Sequence, residues 1–219
     1  MSRRIDRLTL DHLALLDAPC RDCVFWELDP VRRARLAPED AAGEKEAWLS
    51  TVLREWGSCG RVALVEDRPV GFVVYVPPAF APGADGFPTA PVSPDAVLLT
   101  TAYVAPEHAG GGLGRMLVQG MARDLITRGG IRAVEAFGHA AGEPGTEDGS
   151  ASPAGCVLPV SFLGGVGFKT QRPHPTTPRM RMTLRSVLSW RDELEGALDR
   201  LIGVVRPAPG ATRQSRAAR

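Results

Sequence analysis

Apolar and polar residues alternate over residues 5–10, with Ile5, Leu8 and Leu10 set against Asp6, Arg7 and Thr9, and predict a first strand. Residues 12–17 suit a short helix before Pro19, and the mixed segment 20–38 carries Phe25, Trp26 and Leu28. Residues 41–56 read as an amphipathic helix, with Ala47, Val52, Leu53 and Trp56 on one side. Glu44, Lys45, Glu46 and Arg54 then face solvent, and Gly57 ends the helix. The apolar runs 61–65 and 70–76 flank the polar Glu66-Asp67-Arg68-Pro69 and predict a hairpin. Residues 96–104 form an apolar strand that contains Thr100 and Thr101. Leu113, Met116, Leu117, Met121 and Leu125 recur at helical spacing over 112–128, closed by Gly129-Gly130. A strand over 131–137, a short helix or turn over 160–166 before Gly167-Phe168, and a strand over 180–184 complete the pattern. Between them, 77–94 and 138–159 are long loops rich in Pro, Gly and Ala, which are expected to shape a binding pocket. Ser189 caps a last helix whose stripe is Trp190, Leu194, Leu198, Leu201, Ile202 and Val205. That stripe fits docking on its own domain, with a homodimer through the same face as the alternative. Residues 206–219 hold four arginines and no acid and read as a disordered tail.

Composition narrows the function classes. With 219 residues, 44% hydrophobic and 23% charged, the chain can bury a sizeable core. A net charge of +1 supplies no global field for nucleic acid or an anionic membrane, so neither partner is expected. No apolar run approaches the roughly 20 residues needed to span a bilayer. The charged start Met1-Ser2-Arg3-Arg4 is not followed by an apolar leader, and four cysteines are too few for a disulfide scaffold. A reduced, cytoplasmic location is therefore expected.

The most informative segment joins the strand 96–104 to the helix 112–128: Val104-Ala105-Pro106-Glu107-His108-Ala109-Gly110-Gly111-Gly112-Leu113-Gly114-Arg115. Four glycines in five residues let the backbone turn tightly and approach a ligand without Cβ interference. The helix start leaves N–H groups without partners, and its dipole favours negative charge. Arg115 adds a cation, so a pyrophosphate suits the site. The segment lacks the Gly-Lys-Ser/Thr end of a P-loop, and it misses the dinucleotide fingerprint. A plain flexible loop is the alternative, but the strand, the Val-x-Pro, the spacing and the helix occur together.

In that order the segment resembles the coenzyme A motif of the GCN5-related N-acetyltransferase (GNAT) family. The family motif is a strand, then Val-x-Pro, then Arg/Gln-x-x-Gly-x-Gly/Ala opening a helix. Ala109 stands where the family has Arg or Gln, which removes a side-chain brace and keeps the backbone amides. The resemblance covers residues 1–185 and extends to the preceding hairpin and to Gly167-Phe168. Cys20-Arg21-Asp22-Cys23-Val24-Phe25-Trp26-Glu27, Glu55-Trp56-Gly57 and Cys59-Gly60 are similar to an uncharacterised bacterial subgroup, which brings no acceptor with it. The resemblance implies an α/β (α+β) fold with a mixed, mostly antiparallel central sheet and helices on both faces. It also implies a splayed cleft between the motif strand and the next strand. Residues 1–185 are then the acetyltransferase domain, 186–205 a C-terminal helix and 206–219 the tail.

The same likeness implies direct attack of an unidentified amine acceptor on acetyl-CoA, without an acyl-enzyme. Expected coenzyme contacts are Val104, Ala109, Gly110, Gly111, Gly112, Leu113, Gly114 and Arg115, with the Val104 amide on the oxyanion. A lysine-like ammonium titrates near pH ~10 and must lose a proton before attack. The tyrosine the family often uses as acid falls at Leu163, and Thr100 and Thr101 replace a motif-strand carboxylate. The remaining candidates are His139 as base, Glu135 acting through water, and Tyr103 as proton donor, each of which also fits an ordinary structural role. A non-catalytic coenzyme A binding module is the competing reading. Cys20-x-x-Cys23 is half a zinc site, but Cys59 and Cys156 lie far away in sequence, so no metal is expected. Buried structural cysteines are expected instead of a redox pair.

Overall fold

A computed structural model of the chain describes residues 2–140 and 156–184. The C-terminal stripe, the tail and most of the loop 138–159 lie outside the described residues. The strands are β1 (Arg3–Arg7), β2 (Gly60–Val65), β3 (Arg68–Val76), β4 (Ala96–Val104), β5 (Ala133–His139), β6 (Leu158–Pro159), β7 (Lys169–Arg172) and β8 (Arg179–Thr183). The helices are α1 (Leu10–Leu15), α2 (Pro30–Arg35), α3 (Ala41–Glu55), α4 (Leu113–Arg128) and α5 (Val160–Gly165). The sheet order is β1-β2-β3-β4-β5-β8-β7, with β6 beside the end of β5. Among the described strands only β4–β5 and β5–β6 are parallel. This is the mixed, mostly antiparallel sheet anticipated above.

Alternation along the strands divides the two faces. Val62, Leu64, Phe72, Val74, Val76, Leu98 and Phe137 face a core shared with α1, α3 and the chain between β3 and β4. Arg61 and Tyr75 point to the other face, onto α4, where both engage Asp124. Arg128, one turn further along α4, holds the same carboxylate at 3.0 Å, while Arg61 and Tyr75 tie the helix to β2 and β3. The hairpin turn is tighter than expected: Glu66 and Asp67 both take left-handed φ, 50° and 66°, as a two-residue turn requires.

Three expectations change. Lys45 is buried, as is Leu49, whereas Ala47 is exposed. The buried stripe of α3 is Lys45, Leu49 and Val52, because Glu27 waits in the core as a partner for the ammonium. Residues 77–94 are not an open loop. They form two 3-10 turns with Ala81, Ala84, Phe87 and Val92 buried, and Trp48 Nε1 donates to Phe80 O at 2.8 Å. Short periodicity also hid α2 and β7. β7 lies at the sheet edge with all four residues exposed, so it has no hydrophobic alternation to detect. No helix among the described residues is long and apolar enough to cross a membrane.

Candidate active site

β4 and β5 run parallel only through Ala96–Ala133, Val97–Val134 and Leu98–Glu135. Beyond Leu98 they part: β5 takes β6 as its partner at Gly138 and His139, while β4 continues to Val104 paired with β3 alone. A register shift between Val74 and Tyr75 leaves Thr100 as the extra residue on β4, its hydroxyl donating to Val74 O at 3.2 Å. The β5-facing edge of β4 is thus an unpaired strand edge inside the fold, able to hydrogen-bond an extended chain that carries amides.

At the end of that edge the chain makes a 3-10 turn over Pro106–His108 and enters the glycine loop. Gly110 and Gly112 take φ of 75° and 80°, a left-handed conformation that favours glycine. Gly112 starts α4 without a side-chain cap. The first amide in this stretch to reach a backbone carbonyl is that of Met116, to Gly112 O at 3.1 Å. The amides from Gly110 to Arg115 have no backbone acceptor among the described residues. They form a concentration of donors at the positive end of a 16-residue helix. Ala109 is extended and its own amide is spent on Pro106 O, so it contributes no free donor.

Two arginines border this cradle, and sequence reasoning found one. Arg115 Nη2 donates to Gly165 O at 2.9 Å, which ties the start of α4 to the end of α5. Arg3, on β1, donates to Gly111 O at 3.1 Å from 108 residues away. Nothing in the local pattern could have marked it. Gly114 also serves the packing of α5. A Cβ there would lie 3.0 Å from Phe162 Cε2, so glycine admits α5 to the helix start.

The other wall of the parting is built from side chains distant in sequence. Cys20, Cys23, Trp26, Cys156 and Leu158 face Thr101 and Ala102 of β4 across the gap. Glu27 and Lys45 form an ion pair, 0% and 3% exposed, that anchors this N-terminal segment. Lys45 Nζ also donates to Cys23 O at 3.0 Å. Trp26 stacks on Phe87 and Phe137, with ring centroids 5.2 and 6.1 Å away, and its Nε1 donates to Cys156 O at 2.8 Å. The cysteine expectation is corrected here. Only Cys59 is buried, whereas Cys20, Cys23 and Cys156 are half-buried around the gap. The closest thiol to Cys23 is that of Cys156, 2.9 Å away. Their hydrogen bond brings the Cys23 thiol down to about 7, because the Cys156 S–H supports the thiolate. Desolvation acts the other way on Cys23, and the same hydrogen bond pushes Cys156 above the thiol range. Among the described residues no group of three or more His, Cys, Asp or Glu side chains is arranged to hold a metal ion.

The three candidate proton-transfer groups are not brought together. Glu135 is completely buried where β4 and β5 are still paired, held by Arg181 at 2.9 Å, by Arg179 at 3.3 Å and by the Ser93 amide at 3.0 Å. Those contacts occupy both carboxylate oxygens, so Glu135 locks the closed end of the parting and is unsuited to act as a base. His139 is exposed at the open end of β5 and makes no side-chain hydrogen bond among the described residues. Tyr103 is half-buried near the open end of β4 and donates to Asp17 O at 3.3 Å. Burial raises its pKa, with Glu107, Asp17 and Cys20 adding to the effect, so the phenol stays protonated and able to donate. Leu163 is fully buried beneath β5, 3.4 Å from where a Cβ on Gly138 would lie. Beside Tyr103 a groove of about 230 Å³ opens, with Asp17 and Glu107 giving it negative charge.

Comparisons with known proteins fit this arrangement. The model of the acetyltransferase (GNAT) family matches residues 20–144, more than half of the chain. Three solved structures share the fold. The PaiA N-acetyltransferase of Thermoplasma acidophilum, in complex with coenzyme A, is 16% identical, with 84% of this chain and 99% of that one aligned and a TM-score of 0.50. The aminoglycoside acetyltransferase AAC(6')-Ib, also in complex with coenzyme A, is 18% identical over 86% and 98%, with a TM-score of 0.51. The loading GNATL domain of CurA from Lyngbya majuscula is 13% identical over 85% and 100%, with a TM-score of 0.51. No curated protein sequence matches the chain.

Proposed function

This chain belongs to the acetyltransferase (GNAT) family, and from that premise we propose that it is an acetyl-CoA-dependent N-acetyltransferase acting on a primary amine. The observation that carries the reading is the continuity of the unpaired β4 edge with the glycine loop. Free amides from Gly110 to Arg115, with Arg3 and Arg115 beside them, suit a pyrophosphate. The edge from Leu99 to Val104 suits the two amides of a pantetheine arm. Acetyl-CoA supplies the activated thioester. Val104 ends the edge and remains the proposed oxyanion donor. Tyr103, protonated and bordering both the edge and the acidic groove, is the proposed proton donor to the departing thiolate. Asp17 and Glu107 favour a cationic amine in that groove. His139 remains the proposed base, reached through water, and alignment of the two substrates supplies much of the rate.

The full chain should bind coenzyme A by calorimetry and release free coenzyme A when given acetyl-CoA and a panel of primary amines. Failure to bind would sink the reading. A second reading, a coenzyme A binding module without turnover, is favoured by the buried Leu163 and by the locked Glu135. Binding without turnover of any amine would select it.

A further inference from the structure

We propose that Cys23 and Cys156 form a reversible disulfide that closes the gap between β4 and β5, making the site redox-sensitive. Three of the four cysteines of this chain converge on that gap, and the fourth is buried in the core. The two sulfurs lie 2.9 Å apart and need approach by only about 0.9 Å to reach the ~2.05 Å of a disulfide bond. Both backbones are held where they stand. Lys45 Nζ grips Cys23 O at 3.0 Å, and Trp26 Nε1 grips Cys156 O at 2.8 Å. The proximity thus belongs to two anchored segments, 133 residues apart in sequence, and not to a wandering side chain. Both thiols are half-buried and line the gap. The lowered pKa of Cys23 supplies the thiolate that such chemistry needs.

The oxidant is hydrogen peroxide. The Cys23 thiolate attacks one peroxide oxygen, the O–O bond breaks, and hydroxide leaves Cys23 as a sulfenic acid. The Cys156 sulfur then attacks the Cys23 sulfur, the S–O bond breaks and the S–S bond forms. The Cys156 proton leaves with the second hydroxide as water. Two thiols give two electrons to one peroxide and yield one disulfide and two waters; a dithiol reductant reverses the change. The new bond would tie the segment carrying Trp26 to the start of β6, across the mouth of the gap. The effect on ligand entry rests on the proposed function, whereas the bond formation does not.

The test treats the full chain with stoichiometric hydrogen peroxide, alkylates free thiols and maps peptides by mass spectrometry. A linked Cys23–Cys156 pair is expected, with the thiol titre falling from four to two and recovering in dithiothreitol. Cys23→Ser and Cys156→Ser should each abolish the link, and Cys59→Ser should leave it. Four surviving thiols, a Cys20–Cys23 link or a bond between chains would overturn the proposal. Coenzyme A affinity should fall at least ~10-fold on oxidation and return on reduction. A disulfide that forms with affinity unchanged would also overturn it. Reduced protein that binds no coenzyme A would sink the proposed function instead, while the mapped disulfide would still stand.

Discussion

The glycine loop and the cysteine-lined gap flank the same end of β4 but are assembled in opposite ways. The loop is contiguous, its donors are backbone amides, and its geometry follows from left-handed φ at Gly110 and Gly112. The gap wall joins Cys20, Cys23 and Trp26 to Cys156 and Leu158 through a buried ion pair, a stacked indole and a sulfur contact. A backbone-built site tolerates side-chain change but not a change of φ. A side-chain-built wall depends on each partner and fails when one is removed.

The largest effect expected from breaking this contrast is on stability. Lys45→Ala leaves the Glu27 carboxylate buried without its cation and should cost about 3–5 kcal/mol in urea unfolding. A cost below ~1 kcal/mol, the size of a surface pair, would show that the wall does not hang on this contact. Next comes Gly112→Val, which places a β-branched residue at φ 80°. Coenzyme A affinity should drop roughly 30-fold, about 2 kcal/mol, with the melting temperature lowered by only a few degrees. Unchanged affinity would contradict the cradle. Gly114→Val is predicted to act differently, displacing Phe162 and α5 as well as the ligand, so its thermal shift should exceed that of Gly112→Val.

A smaller effect is expected at the bordering cations. Arg3→Ala and Arg115→Ala should each weaken coenzyme A binding by a few-fold, with the loss fading as salt rises, because both are exposed. Loss that persists in high salt would point to a structural role through Gly111 O or Gly165 O instead. The finest probe is the pH dependence of alkylation. Iodoacetamide reacts with thiolate, so labelling of Cys23 should rise through pH of about 7 and then level off. Its surroundings include Cys156, the Phe25 amide, Glu27 and Lys45, of which the amide and Lys45 favour the thiolate and Glu27 opposes it, with Cys20 lining the same gap. Cys59, pushed up to about 12 by burial, should stay unlabelled over the same range. Equal labelling of both would erase the distinction between the two thiols.

Most of the central elements were legible, because their information is local. The hairpin, β4, α4 and the short helix before Gly167-Phe168 each follow from periodicity or from a turn residue, and the glycine loop follows from four glycines beside a helix start. The gap wall was not. Cys20-x-x-Cys23 drew attention to the wrong pair, since the nearest thiol to Cys23 comes from the far end of the domain. Lys45 looked like a solvent-facing helix residue because periodicity registers hydrophobicity and not a distant Glu27. Glu135 looked available because a strand pattern does not reveal that Arg179 and Arg181 stand on the neighbouring strand.

The amino-acid sequence alone determined the central strands and helices, though not α2, β6 or β7, together with the phosphate-suited loop and the family to which the chain belongs, since each rests on neighbours in the chain. Only the tertiary structure decided where β4 and β5 part, that Arg3 reaches the glycine loop, and that three cysteines meet at the opening. The reason is physical. Backbone conformation and amphipathic period are set within a few residues, whereas ion pairs, stacking and thiol contacts depend on which distant segments the packed core brings within a few ångströms.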